Sequence, residues 1–163
     1  DYARLATPFR PALGVLATLA PRLAEQDERF RQLVADFQAA AHGPERNRYF
    51  QRMFEVLMTS FVRGDVTLDA VESFEKFHAR VSAAFEQARS GEGSRRIAVF
   101  TSGGPIGVAV QRAMRAPNDV ALEVNFRVRN SSLTEFLFSK DRLSFDLFNA
   151  TPHLTDPALI SYR

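Results

Sequence analysis

Arg95-Arg96-Ile97-Ala98-Val99-Phe100-Thr101-Ser102-Gly103-Gly104-Pro105-Ile106-Gly107 reads as an apolar strand that stops at a Ser-Gly-Gly turn and restarts at once as a helix. Four consecutive apolar residues, Ile97 to Phe100, fit a strand buried on both faces, which is the pattern of a parallel sheet. Gly103 and Gly104 permit close approaches that a side chain would block. Pro105 suits a first helical turn, where a missing N–H costs nothing. Free N–H groups at a helix start point outward, and the helix dipole favours negative charge there, so the turn is a candidate anion holder. Glycine needed only for the geometry of an ordinary strand-to-helix connection explains the same residues.

Outward from that stretch the chain divides by pattern. Residues 1 to 90 contain no convincing strand. Ala12, Val15, Leu16, Leu19 and Leu23 recur at helical spacing, with Pro21 expected to end or kink the helix. A second helix runs from about Asp27 with Phe30, Leu33, Val34 and Phe37 on one stripe, and His42-Gly43-Pro44 reads as its stop. A third carries Phe50, Met53, Phe54, Leu57 and Phe61. A fourth, Val71 to about Ala88, places Phe74, Phe77, Val81 and Phe85 at near-ideal spacing. Fifteen phenylalanines and no tryptophan predict a core of phenyl rings. Ser90-Gly91-Glu92-Gly93-Ser94 is linker-like but too short to separate domains. Beyond the turn come a short apolar helix to about Met114 and another capped by Asn118 or Asp119. Two alternating strands follow, Ser132–Ser139 and Leu143–Phe148, joined through Lys140-Asp141. A proline-punctuated tail, Asn149 to Arg163, has Leu154, Leu159, Ile160 and Tyr162 available to pack back.

The bulk composition excludes several classes. The 163 residues are 45% hydrophobic and 25% charged, as expected of one domain with a core of its own. The absence of cysteine excludes disulfides, thiolate metal sites and a cysteine nucleophile, and fits a reducing, cytoplasmic compartment. A net charge of +2, from 21 basic and 19 acidic residues, argues against nucleic-acid or membrane partners. No apolar run approaches a membrane span, and no secretory signal opens the chain. Its opening on Asp1 points to the C-terminal part of something longer.

Three histidines are available for chemistry. Ala41-His42-Gly43 lacks the arginine of a phosphate-transferring Arg-His-Gly and ends a helix instead of a strand. His78 lies at the edge of a helical stripe, where a packed histidine is the simpler account. His153 sits in the tail, where a structural hydrogen bond is expected. No pair has metal-ligand spacing, and neither a metal nor a cofactor is expected. Ser102 can cap the following helix, donate to an anion, or act as a nucleophile; the last lacks the glycine two residues before it that marks a nucleophile elbow. Gly103, Gly104 and Gly107 echo a dinucleotide loop only loosely. Arg127, Arg129 and Asn130 precede the hairpin; an arginine there can bind phosphate bidentately, with a surface ion pair as the plainer alternative.

Taken together, Ile97 through Ile106, the short helix, Arg129-Asn130-Ser131-Ser132-Leu133-Thr134-Glu135, the hairpin and Asn149 to Leu154 resemble the C-terminal part of the histidine phosphatase superfamily, the phosphoglycerate-mutase-like fold. Phe77 and Arg80-Val81 match the helix before that strand. The resemblance covers roughly residues 70 to 155. It implies an α/β fold: an incomplete three-layer sandwich, with residues 1–70 a helical insertion and 71–163 the α/β core of one partial domain. It implies a phosphomonoesterase acting on a phosphorylated small molecule, with phosphate held at Ser102, Gly103 and Gly104.

In that family a histidine in Arg-His-Gly takes the phosphoryl group, an acidic residue of the insertion acts as acid, and a second histidine in Ser-His-Gly-Gly helps hold phosphate. Ser102 occupies the second histidine's position here. Arg-His-Gly is absent from this chain, so the nucleophile is expected upstream. Asp1, Glu25, Asp27 and Glu28 lie near candidate acid positions, without a motif to choose among them. The missing strand is expected to leave an exposed apolar edge at Val99, completed by an upstream segment or by a second copy in a homodimer. A non-catalytic phosphate-binding or interaction member of the same fold is the alternative, and a nucleotide-binding module a weaker third reading.

Overall fold

The computed structural model describes residues 20–40, 44–66, 72–91 and 95–162. They fall into two units, divided between Ser73 and Phe74. In the first, residues 20–26 are helical, followed by α1 (Glu28–Ala39) and α2 (Pro44–Arg63). Pro21 lies within this helical segment, the residues before Ala20 that the expected end or kink concerns lie outside the described residues, and a break falls at Asp27. There the Asp27 carboxylate accepts from the amides of Arg29 (2.8 Å) and Phe30 (3.2 Å), the donors that a new helix leaves unsatisfied. α1 ends at Ala39, ahead of the expected stop, and Pro44 beyond it is the first residue of α2, a position where its missing N–H removes nothing. Most of the first expected helix, with His42 and Gly43, lies outside the described residues.

The phenylalanine stripes do what their spacing predicts. Phe30 and Leu57 are fully buried, with Leu23, Met53 and Val66 around them. Phe37, Phe50 and Phe54 form a chain of rings with centroids 5.9 and 6.1 Å apart. Arg46 closes its end, lying 4.0 Å over the Phe37 ring and donating to the Phe37 carbonyl.

The second unit holds α3 (Phe74–Arg89), α4 (Gly103–Met114), α5 (Asn118–Arg127), β1 (Leu133–Phe138) and β2 (Leu143–Ala150), then a 3-10 turn at Pro157–Leu159. The α/β class follows from this mixture. The two strands pair antiparallel, and β1 alternates as expected, with Thr134, Phe136 and Phe138 turned inward. Phe136 meets Phe85 of α3 edge-on at 5.5 Å and Phe145 of β2 at 6.0 Å. In β2 the expected alternation fails. Phe136 pairs with Phe145 but Glu135 with Leu147, and Leu133 with Ala150, so β2 carries an extra residue in each interval. The bulges let Phe145 and Phe148 approach within 6.3 Å despite their odd spacing.

Two helix ends explain how the elements are joined. Gly91 takes φ 141°, and the Arg95 guanidinium folds over it to donate to the carbonyls of Ala88, Arg89 and Ser90, closing the C-terminal end of α3. Between α5 and β1, Asn149 (φ 60°) reaches across. Its Oδ1 accepts from the Arg129 amide at 2.7 Å and its Nδ2 donates to the Arg127 carbonyl at 2.6 Å. Pro117 holds the cap position and Asn118, the first residue of α5, provides no side-chain cap, but the Asp119 carboxylate accepts from the first-turn amide of Val120 at 3.1 Å. No helix among the described residues is long and apolar enough to cross a membrane.

Candidate functional site: the Ser-Gly-Gly turn

The run leading into the turn differs most from its sequence reading. Residues 95–100 form no strand, and all six are exposed. Ile97 is 40%, Val99 64% and Phe100 97% accessible. A strand is defined by the neighbour it bonds to, and among the described residues none pairs with this backbone. The apolar exposure expected at Val99 is present, but on a run that forms no strand and so no sheet edge.

Ser102 then takes the N-cap position of α4 with extended angles (φ −100°, ψ 174°), yet its hydroxyl makes no capping bond. The first helical amide bond is Ile106 to the Ser102 carbonyl, and Pro105 has no N–H. The amides of Gly103 and Gly104 are therefore left without helical acceptors. An exposed hydroxyl beside two unbonded amides at the positive end of a helix is suited to an anion.

Packing accounts for the glycines as much as binding does. A methyl at Gly107 would overlap the carbonyl oxygen of Ala121 in α5, and one at Gly103 would come within 2.6 Å of Asn125 Oδ1. One at Gly104 would lie 3.2 Å from Phe77 Cζ. The N-terminal end of α4 thus lies against the C-terminal end of α5, with Phe77 of α3 beside it. Arg80 stands over the Phe77 ring at 5.5 Å and brings a positive charge to that side. Asn125 and Phe77 as immediate neighbours of the turn were not legible as such; a helical stripe and the family resemblance placed Phe77 only on the preceding helix, and nothing marked Asn125.

The other candidates separate clearly. His78 Nε2 lies 2.9 Å from Gln111 Oε1, and Gln111 Nε2 donates to the Ala116 carbonyl at 2.5 Å. A carbonyl can only accept, so Gln111 presents its oxygen to His78, and His78 must carry a proton on Nε2. Gln111 is buried, and the pair pins α3 to the end of α4. His153 is exposed and makes no hydrogen bond to another described residue, contrary to the expected structural one. Arg129 forms no ion pair with another described residue; it donates to the Tyr162 hydroxyl (3.3 Å) and stacks 5.7 Å over that ring. Asp27 caps α1 and Glu28 pairs with Arg31, while Asp1 lies outside the described residues. No group of three metal-ligating side chains occurs among the described residues.

A family model, the histidine phosphatase superfamily (branch 1), matches residues 6–151. No curated protein and no solved structure shows significant similarity to the chain.

Proposed function

Because the chain belongs to the histidine phosphatase superfamily, we propose that it is the C-terminal part of a phosphomonoesterase that holds the phosphate of a small phosphorylated substrate at Ser102, Gly103 and Gly104. The observation that carries this reading is the Ser102 hydroxyl, which makes no capping bond, beside the two unbonded glycine amides. The nucleophilic histidine is supplied from outside these 163 residues. It attacks phosphorus, the substrate alcohol leaves, and water then releases phosphate from the histidine. The turn's amides and the Ser102 hydroxyl donate to the phosphoryl oxygens as charge shifts onto them.

Serine in place of a cationic histidine weakens this site in a calculable way. A charge-assisted hydrogen bond contributes about 1.5–3 kcal/mol, so its loss slows the reaction roughly ten- to hundredfold. The helix N-terminus, at roughly 0.3–1 kcal/mol, offsets only part of that. The same substitution favours the second reading, a member that binds phosphate without turning it over. The exposed run at Ile97–Phe100 supports completion of the sheet by a strand from an upstream segment or from a second copy. The absence of cysteine is in keeping with work in the cytoplasm.

A phosphomonoesterase assay on the whole protein tests this. Ser102→Ala is expected to lower turnover about tenfold, and Ser102→His to raise it. Turnover no higher than that of a nucleophile-deleted control would remove the enzyme reading. Phosphate binding by calorimetry that Ser102→Ala weakens would then leave the binding reading in place.

A further inference from the structure

The chain after the 3-10 turn returns to the connection between α5 and β1. Arg129 and Tyr162 form an isolated antiparallel bridge. The Asn130 amide donates to the Ser161 carbonyl at 2.9 Å, and Asn130 Nδ2 donates to Ser161 Oγ at 3.0 Å. Arg129 holds Tyr162 through its hydroxyl and ring. Donors of two neighbouring residues, the Arg129 Nε and the Asn130 amide and Nδ2, thus go to the tail, and among the described residues neither side chain meets an acidic group.

The two sides of this contact are anchored unequally. Asn149 grips the Arg129 amide and the Arg127 carbonyl from β2, independently of the tail. The tail has little apolar hold of its own: Leu159 is 60% and Tyr162 58% exposed. Segments with few buried contacts and exposed hydrogen bonds open at low free energy. When the tail leaves, its receiving surface keeps its shape.

We propose that residues 160–162 are a reversible strap that keeps Arg129 and Asn130 in reserve. Docked, the strap takes the Arg129 Nε, the Asn130 amide and the Asn130 Nδ2 and lays the Tyr162 ring against the guanidinium; released, it frees that face of the guanidinium and the neighbouring side-chain amide for an anionic group. An anion of phosphate type and the strap therefore compete for Arg129. This device is separate from the Ser102 turn and does not depend on it.

Residue-resolved amide exchange on the whole protein tests the strap. Tyr162→Ala is expected to speed exchange of the Asn130 amide about tenfold while leaving the Arg129 amide, held by Asn149, unchanged. Tyr162→Phe, which keeps the ring, falls between. Inorganic phosphate, against chloride at equal ionic strength, should speed Asn130 exchange in the wild type and in Ser102→Ala but not in Arg129→Ala. Exchange of both amides rising together in Tyr162→Ala would overturn the proposal, as would a phosphate effect that is absent or survives in Arg129→Ala.

Discussion

Gly107→Ala places one methyl group where two helices nearly touch. The added Cβ would overlap the Ala121 carbonyl oxygen and lie 3.0 Å from its carbonyl carbon and 3.4 Å from its Cα. These are backbone atoms inside α5, so no side-chain rotation relieves the overlap and the helices must move apart. Overpacking of this kind costs about 1–3 kcal/mol. Alanine in place of glycine in a helix returns up to about 1 kcal/mol. With the full return the expected net loss is up to about 2 kcal/mol, seen as a lower urea midpoint at unchanged slope when unfolding is followed by circular dichroism. Gly104→Ala is the comparison, because the neighbour it meets is only the tip of the Phe77 ring at 3.2 Å, which can tilt. It should be neutral or stabilising by a few tenths of a kcal/mol. A Gly107→Ala protein as stable as Gly104→Ala would refute the claim that backbone-to-backbone approach, and not turn geometry, dictates glycine at 107.

Gln111→Leu removes the acceptor of His78 and the donor to Ala116, and should destabilise by about 1–3 kcal/mol. Adding His78→Leu should recover part of that loss, since the histidine N–H is then no longer left without its partner; additive losses in the double-mutant cycle would contradict the pairing. If a second copy pairs with the exposed run, the charge that Val99→Lys puts there should abolish the resulting concentration-dependent self-association in light scattering. The substitution's effect on stability should stay within about 0.5 kcal/mol. Association unchanged by Val99→Lys would show that this edge is not its cause.

Local periodicity made most helices legible: the Phe30–Phe37 stripe gave α1 and the Phe74–Phe85 stripe gave α3, each within a few residues. The alternation of β1 was equally plain. What escaped depends on partners distant in sequence. Ile97 to Phe100 has the composition of a buried strand, but burial requires neighbours, and no neighbour occurs among the described residues. The bulges in β2 follow from pairing with β1, and Asn149 at φ 60° carries no signal until its contacts to Arg127 and Arg129 are seen. At the turn, Ser102, Gly103 and Gly104 were legible as a helix start, and α4 begins there. The demand that α5 places on Gly103 and Gly107 was not, because Ala121 and Asn125 are ordinary residues in sequence.

The close α4–α5 contact also bears on the order in which the chain assembles. Gly107 meets Ala121, and β1 meets β2, across short stretches of sequence, so the loops that close them are small and quickly searched. Both substructures can form before anything pairs with Ile97–Phe100. Sheet completion at that run would then be a docking step onto a folded scaffold, separable in time from collapse. If the strand came from another molecule, its rate would rise with concentration; if from the same polypeptide, it would not.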